Sequence, residues 1–313
     1  MQNDLGSSVV VVSMIANGKG ITDRIYKIFL SDQTRERSEK VIISLAIVSF
    51  FLHLVVIVLS DYGFLNISEK ESLFANPIAA IYTPFSFILL YEAYLLVYYL
   101  PKSTTIYIGK QYEIITLIVI RRIFKDLSNL EFTENWFSNA NDLQFTFDLL
   151  ATVVLFLLIF LFYRINDKRI RERGKKDISE DTQRFIKRKR IISLFLVPLF
   201  LGLAIYSLTH WVVQSFSLSG MVGGIRDVNK VFFDDFFGVL ILTDVLLLLI
   251  SFFHVHKFSA VIRNSGFVIS TILIKLSFGT EGLLTTLLVV VAVLFGVVIL
   301  WSQSQYEKIQ ESS

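Results

Sequence analysis

The sequence predicts an all-α, polytopic integral membrane protein. Hydrophobic residues make up 54% of the 313-residue chain, and its mean hydropathy of +0.62 is too high for an ordinary soluble domain. Several apolar windows are long enough to cross a bilayer as helices, and a spaced pattern of charges recurs in both halves of the chain. These observations predict about eight transmembrane helices in two parallel four-helix repeats.

The apolar windows divide evenly between the two halves. The third and seventh windows carry internal charges, so a pair of re-entrant or surface helices is the alternative for these two. The eight predicted spans cover residues 41–60, 79–100, 104–125, 146–164, 191–213, 236–254, 257–277 and 282–301.

The distribution of basic residues predicts the topology. The segment from Arg164 to Arg190 contains 12 of the 30 Lys and Arg residues and should stay in the cytoplasm by the positive-inside rule. The N-terminal segment is also basic, and four spans between two cytoplasmic segments satisfy the required even number. Both termini are therefore expected in the cytoplasm, with a prokaryotic cytoplasmic membrane as the expected location. The predicted segments are an N-terminal part (1–40), a first repeat (41–164), a basic linker (165–190), a second repeat (191–301) and a tail (302–313).

Two charged residues fall inside predicted spans of the first half. Glu92 and Lys110 each lie nine residues from Pro101, where the second and third spans should fold back as a hairpin. At about 1.5 Å per residue each charge is about 13 Å from the turn, near the middle of a hydrocarbon core about 30 Å thick. The two are expected to pair, although Glu113 follows Lys110 by three residues on the same helix and can compete. Such a pair fits either a structural clasp or a polar centre for protons or ions.

The second half repeats this arrangement. Asp244 lies ten residues before His254 and Arg263 lies nine after it, so they too should share a depth near mid-membrane. Because each repeat has an even number of spans, the two should be related by a pseudo-twofold axis along the membrane normal. Further basic residues follow at the outer ends of the third and seventh spans, namely Arg121, Arg122, Lys125 and Lys275. Those of the third span are expected to reach the outer interface and meet Asp126, Asp142 or Asp148.

The charge spacing resembles that of a known family. An acid in one span is followed by basic residues 18 and 29 positions later and by an acid 34 positions later, here Glu92, Lys110, Arg121 and Asp126. The second half has a looser version in Asp244, Arg263 and Lys275. The pattern resembles the phosphate-starvation-inducible protein E family of small four-span membrane proteins, as two tandem copies over about residues 40–164 and 190–305. The resemblance implies a duplicated membrane-embedded four-helix unit and brings no established activity.

The basic linker has a second interpretation besides setting the topology. A cluster of this size is attracted to anionic lipid headgroups, whereas nucleic-acid binding is not expected without a recognisable fold or aromatic platform. The residues expected to contact lipid are Arg169, Arg171, Arg173, Lys175, Lys176, Lys187, Arg188, Lys189 and Arg190.

Motifs for catalysis and cofactors do not appear in the sequence. It contains no phosphate loop, HExxH, GxSxG or dinucleotide fingerprint. There are no cysteines, and the His254-x-His256 pair has no nearby carboxylate, so neither a metal nor a cofactor is expected. The sequence favours an ion- or proton-permeable module. The alternative is a noncatalytic sensor, scaffold or assembly partner, acting as a homo-oligomer or with another protein through the basic linker.

Overall fold

The protein folds as a set of α-helices, as seen in a computed structural model. The structure describes residues 24, 26–63, 77–127, 140–173, 180–216, 228–252, 258–280 and 282–312, and this part of the chain contains no β-strand. The all-α prediction is therefore confirmed for these residues. The described α-helices from Asp32 onward are α1 (Asp32–Asp61), α2 (Tyr82–Tyr99), α3 (Thr104–Leu127), α4 (Ala140–Arg173), α5 (Glu180–Phe216), α6 (Val228–Phe252), α7 (Phe258–Phe278) and α8 (Leu283–Ser312).

Each predicted apolar window falls largely within one of these helices. Four helical stretches are long and apolar enough to cross a membrane, which supports a membrane-embedded protein. These stretches are Tyr26–Asp61, Asp142–Arg171, Phe258–Phe278 and Leu283–Ile309. The seventh window, for which a surface helix was the alternative, is among them. The full count of eight spans stays a prediction.

Local sequence signals set several helix ends. Ser31 is the N-cap of α1, and its side chain accepts a hydrogen bond from the backbone N–H of Thr34 at 3.1 Å. Pro101 lies in the short turn that separates α2 from α3, since it cannot continue the helix. Gly63 follows α1 with a φ of 76°, and Gly282 precedes α8 with a φ of 67°, in the left-handed region that glycine enters without strain.

Consecutive helices pack against each other within each half of the chain. Across the halves, α4 packs on α8, α3 contacts α7 and α8, and α2 contacts α5. The interior formed in this way includes fully buried aromatic side chains from both halves, namely Tyr107, Tyr112, Phe162, Phe236 and Phe267. The outermost helix, α1, leaves large apolar side chains such as Phe51, Leu52 and Val55 exposed, as a lipid-facing helix does.

Two helices extend by more than two turns past the predicted ends of their spans. The fourth span was predicted to end at 164 and the eighth at 301, but α4 continues to Arg173 and α8 to Ser312. The extensions are held together by Arg169, whose Nε donates to Glu307 Oε2 at 3.0 Å. The last turns of both helices consist mainly of polar residues, so a search for apolar windows could not predict that the helices continue. Much of the predicted linker is therefore helical.

Some predicted residues lie outside the described part of the chain. Lys175 and Lys176 of the linker are among them, as are His254 and His256. The side chains of Lys125, Asp126 and Arg173 also lie outside it.

Candidate functional site

A buried carboxylate forms the centre of the candidate site. Asp244 of α6 is only 5% exposed, and its Oδ2 accepts a hydrogen bond from Gln111 Nε2 of α3 at 3.1 Å. Thr271 Oγ1 of α7 donates to Gln111 Oε1 at 2.8 Å. These bonds join one helix of the first half to two helices of the second. We call Asp244, Gln111, Thr271 and the adjoining Tyr107 the polar centre.

Tyr107 lies one helical turn before Gln111 on α3 and faces the same carboxylate. Its side chain is buried, and its hydroxyl interacts electrostatically with Asp244. The same hydroxyl also lies within reach of the Gln111 side chain. Neither contact has ideal hydrogen-bond geometry, so a water or an ion in this space can add to them.

A small cavity adjoins the polar centre. Its volume is about 30 Å³, which is enough to hold a water molecule. Thr104, the first residue of α3, helps to line it, so the cavity lies toward the end of the bundle where α2 turns into α3. The other polar lining residues are Tyr107, Asp244, Ser251 and Asn264.

Lys189 of α5 lies between this turn and the carboxylate. Its side chain is buried, and its Nζ donates to the Lys102 carbonyl at 3.3 Å and to Thr104 Oγ1 at 3.4 Å. Burial lowers the pKa of Lys189 to about 8, while attraction by Asp244 opposes this shift and repulsion by Arg263 adds to it. Lys189 was predicted to contact lipid. It is instead an internal cation beside the polar centre.

The predicted pairing of Glu92 with Lys110 is corrected by the structure. Lys110 Nζ contacts Glu113 Oε2 at 2.6 Å, and Glu113 Oε1 accepts a hydrogen bond from Tyr163 Oη at 2.6 Å. Glu92 is buried and has Arg121, also buried, as its electrostatic partner. The reason is that helical side chains tilt toward the N-terminus of their helix. In the hairpin, Glu92 and Lys110 therefore tilt away from each other, whereas Glu92 and Arg121 converge.

The second predicted pair borders the polar centre. Arg263 donates from Nε and Nη2 to Asn264 Oδ1 at 3.1 and 2.8 Å, and Asn264 lines the cavity. Arg263 also acts electrostatically on Lys189. Asp244 accepts a hydrogen bond from Gln111 of the other half. The prediction had looked for its partner at the same depth within its own hairpin, so it did not find Gln111. Lys275, predicted at the outer end of the seventh span, is partly buried in the last turn of α7.

A second buried ionic site lies at the opposite end of α3. Arg122 makes a two-point contact with Asp148 of α4, at 2.5 Å from Nε to Oδ2 and 2.7 Å from Nη2 to Oδ1. Thr286 of α8 donates to the same carboxylate and accepts from Arg122 Nη2 at 2.6 Å. The prediction that the basic end of the third span meets Asp148 is confirmed for Arg122. Because Thr286 belongs to the second half, this site also joins the halves.

The predicted lipid-binding residues differ in their exposure. Arg169 is buried against Glu307 and Lys189 is buried beside the polar centre, so the prediction is corrected for these two. The residues that remain exposed are Arg171, Lys187, Arg188 and Arg190, of which Arg190 lies over the Tyr26 ring at 5.2 Å.

Gln111 and Thr271 of the polar centre and Asn264 of the adjoining cavity were missed from the sequence. Gln111 follows Lys110 in the sequence, and Asn264 follows Arg263. The functional prediction was based on the charged residue of each pair and passed over its uncharged neighbour. Gln111 and Thr271 are nevertheless polar residues inside apolar windows, and such residues usually face another helix rather than lipid. That rule would have selected them.

Comparison with known proteins adds no relative, since no protein family, curated protein or solved structure matches the chain. The resemblance to the phosphate-starvation-inducible protein E family stays a prediction.

Proposed function

We propose that this integral membrane protein binds a proton or a small cation at Asp244 and passes it across the membrane. The observation that carries the proposal is a buried carboxylate at the junction of the two halves, bordered by a cavity of about 30 Å³. An ionisable group within a membrane bundle is expensive to bury and is retained mainly where it works on a proton or an ion.

The chemistry around Asp244 suits such a ligand. The cavity is lined by the hydroxyl-bearing side chains of Thr104 and Ser251 in addition to the carboxylate, and oxygen is the ligand that small hard cations prefer. The Tyr107 hydroxyl faces the same carboxylate and can complete the coordination of a water or an ion. Lys189 supplies a resident positive charge close by. A proton or cation that binds Asp244 would weaken the attraction between Asp244 and Lys189. Ligand binding and the charge of Lys189 can therefore replace each other as the partner of the carboxylate.

We also propose that all eight helices cross the membrane as two repeats. Two contacts between the halves join helices that occupy the same place in each repeat, namely α3 with α7 and α4 with α8. A pseudo-twofold axis along the membrane normal would bring such equivalent helices together. In this arrangement both termini and the basic linker face the cytoplasm, and the cavity at Thr104 opens toward that side.

Proteoliposomes test the proposed translocation. The purified full chain would be reconstituted with internal fluorescent indicators for pH, sodium and potassium, and a gradient of each ion would be imposed in turn. We expect one of these gradients to dissipate with the parent protein and to persist with Asp244→Asn. Asp61→Asn is the matched control because Asp61 is an exposed acid at the end of α1, so its flux should equal that of the parent. Absence of flux in the parent, or full flux in Asp244→Asn, would refute the proposal.

A noncatalytic sensor or assembly partner is the second candidate. It is favoured by basic residues of the linker that stay exposed, such as Arg171, Lys187 and Arg188. Replacing these three by Gln should abolish cross-linking to a partner or to a second copy in native membranes while the melting temperature stays unchanged. Retained cross-linking would count against this candidate.

A further inference from the structure

We infer that the end of α4 nearest the linker carries a binding site for the headgroup of an anionic phospholipid. Phe160, Tyr163, Arg164, Asp167, Lys168 and Arg171 line a groove of about 510 Å³ there. The aromatic side chains lie at the end of the groove nearer the middle of α4, and the three cations and the acid follow them along the helix. It is distinct from the polar centre, and the inference does not depend on translocation by Asp244.

The apolar part of α4 leads directly into this groove. Residues spaced by three, four and seven positions lie on one face of a helix. Leu150, Val153, Leu157, Phe160 and Leu161 follow that spacing and are exposed by 60, 54, 59, 59 and 41%. This continuous exposed apolar stripe is the surface against which an acyl chain lies in a membrane.

The basic part continues the same stripe. Arg164, Lys168 and Arg171 follow at intervals of four and three residues, and all three side chains are exposed. The change from apolar to basic occurs at residue 164, where the fourth span is predicted to end. Cations at this depth stand level with lipid headgroups. Asp167 at the flank offsets part of their charge.

The continuity of the stripe identifies the occupant. A soluble phosphate would need only the cations, and an acidic protein would leave the exposed apolar residues above them unused. A molecule with an acyl chain and an anionic headgroup fits both parts at once. Arg169, next to Lys168, is committed to Glu307 and takes no part in the groove. The site therefore lies on the outward face of α4, whereas the face that carries Arg169 packs on α8.

Short-chain lipids allow a direct test on the purified full chain. Dioctanoyl phosphatidylglycerol should raise the melting temperature in a saturable way, whereas dioctanoyl phosphatidylcholine and inorganic phosphate should not. The variant Arg164→Gln/Lys168→Gln/Arg171→Gln should require more than tenfold more phosphatidylglycerol for half of the effect. The control Lys27→Gln/Arg37→Gln/Lys40→Gln removes the same number of exposed cations from another basic segment and should respond like the parent.

A single substitution guards against loss of folding in the triple variant. Asp167→Asn removes the acid of the groove and should lower the phosphatidylglycerol concentration needed for half of the effect. Weaker binding in Asp167→Asn would overturn the site. An equal loss in the two triple variants would overturn it as well, because only total charge would then matter. A comparable response to phosphatidylcholine or phosphate would show that an anionic lipid is not the ligand.

Discussion

Gln111 donates a hydrogen bond of 3.1 Å to Asp244 across 133 positions of sequence. The bond joins α3 of the first half to α6 of the second, where a carboxylate without a donor would be costly to bury. The next residue on α3, Tyr112, is bonded at 2.8 Å to Ser270 of α7. Two consecutive side chains of one helix therefore hold the halves together at their centre.

Loss of the Gln111 amide should destabilise the protein. Gln111→Leu leaves the buried Asp244 without this donor, and we expect the free energy of unfolding to fall by about 1–3 kcal/mol. The measurement is unfolding of the detergent-purified protein by SDS, followed by circular dichroism. Gln305→Leu is the matched control because Gln305 is exposed on α8, and it should unfold like the parent.

A double-mutant cycle tests whether that loss comes from the contact. The variant Gln111→Leu/Asp244→Leu removes both polar groups, so it should be less destabilised than the sum of its two single variants. Strict additivity would show that the two side chains do not depend on each other.

The contact between Arg122 and Asp148 should contribute more to stability. The Asp148 side chain is fully buried and the Arg122 side chain is 27% exposed, so Asp148→Asn leaves a largely buried cation without its charge partner. We expect the free energy of unfolding to fall by about 3 kcal/mol in the same SDS assay. Glu36→Gln should change it by less than about 0.5 kcal/mol, since Glu36 lies 3.9 Å from Arg35 and is 63% exposed. Equal effects of the two substitutions would contradict the burial of this contact.

The sequence contained enough information to locate the helices. Apolar windows depend on composition over about 20 residues, and each window predicted here lies largely within one helix. Arg122 could also be assigned a partner, since a cation at a helix end has few acids within reach. The extension of α4 to Arg173 could not be found in this way because its last turns are polar and are stabilised by packing on α8.

The polar centre was harder to predict for a geometric reason. Equal distance from a turn places two Cα atoms at one depth, but the side chains then tilt toward opposite ends of an antiparallel hairpin. Lys110 accordingly found Glu113 on its own helix. The hydrogen-bond partner of Asp244 belongs to the other half of the chain. The spacing of residues within one repeat carries no information about how the two repeats pack against each other.

Stability should depend on pH through Lys189. Burial lowers its pKa from an ordinary 10.5 to about 8, so between these values the unfolded chain binds the proton more tightly than the folded one. The free energy of unfolding therefore rises with pH across this window, by about 3 kcal/mol in total. Melting temperatures in a nonionic detergent from pH 7 to pH 10.5 would measure the rise.

The slope of melting temperature against pH shows whether Lys189 is the group that titrates. Lys189→Met should flatten the rise, whereas Lys187→Met, at an exposed position of the same helix, should keep it. Identical slopes in the parent and in Lys189→Met would mean that another group titrates.

A glycine of α8 makes room for the Tyr112 side chain. A Cβ atom at position 296 would lie 1.7 Å from Tyr112 Oη, and that hydroxyl is held by Ser270, which donates to the Ala292 carbonyl at 2.7 Å. The ring cannot withdraw without breaking these bonds. Gly296→Ala should therefore lower the free energy of unfolding by about 1–3 kcal/mol, although alanine favours a helix.

Two variants separate this collision from the effect of alanine itself. Gly238→Ala in α6 places a Cβ where nothing lies within 4 Å, so it should leave stability unchanged or raise it by up to about 1 kcal/mol. Adding Tyr112→Phe to Gly296→Ala removes the closest atom of the collision and should recover part of the loss. The measurement is SDS unfolding of all four proteins. If Gly296→Ala unfolds like Gly238→Ala, α3 and α8 do not approach as closely at this position as the structure places them.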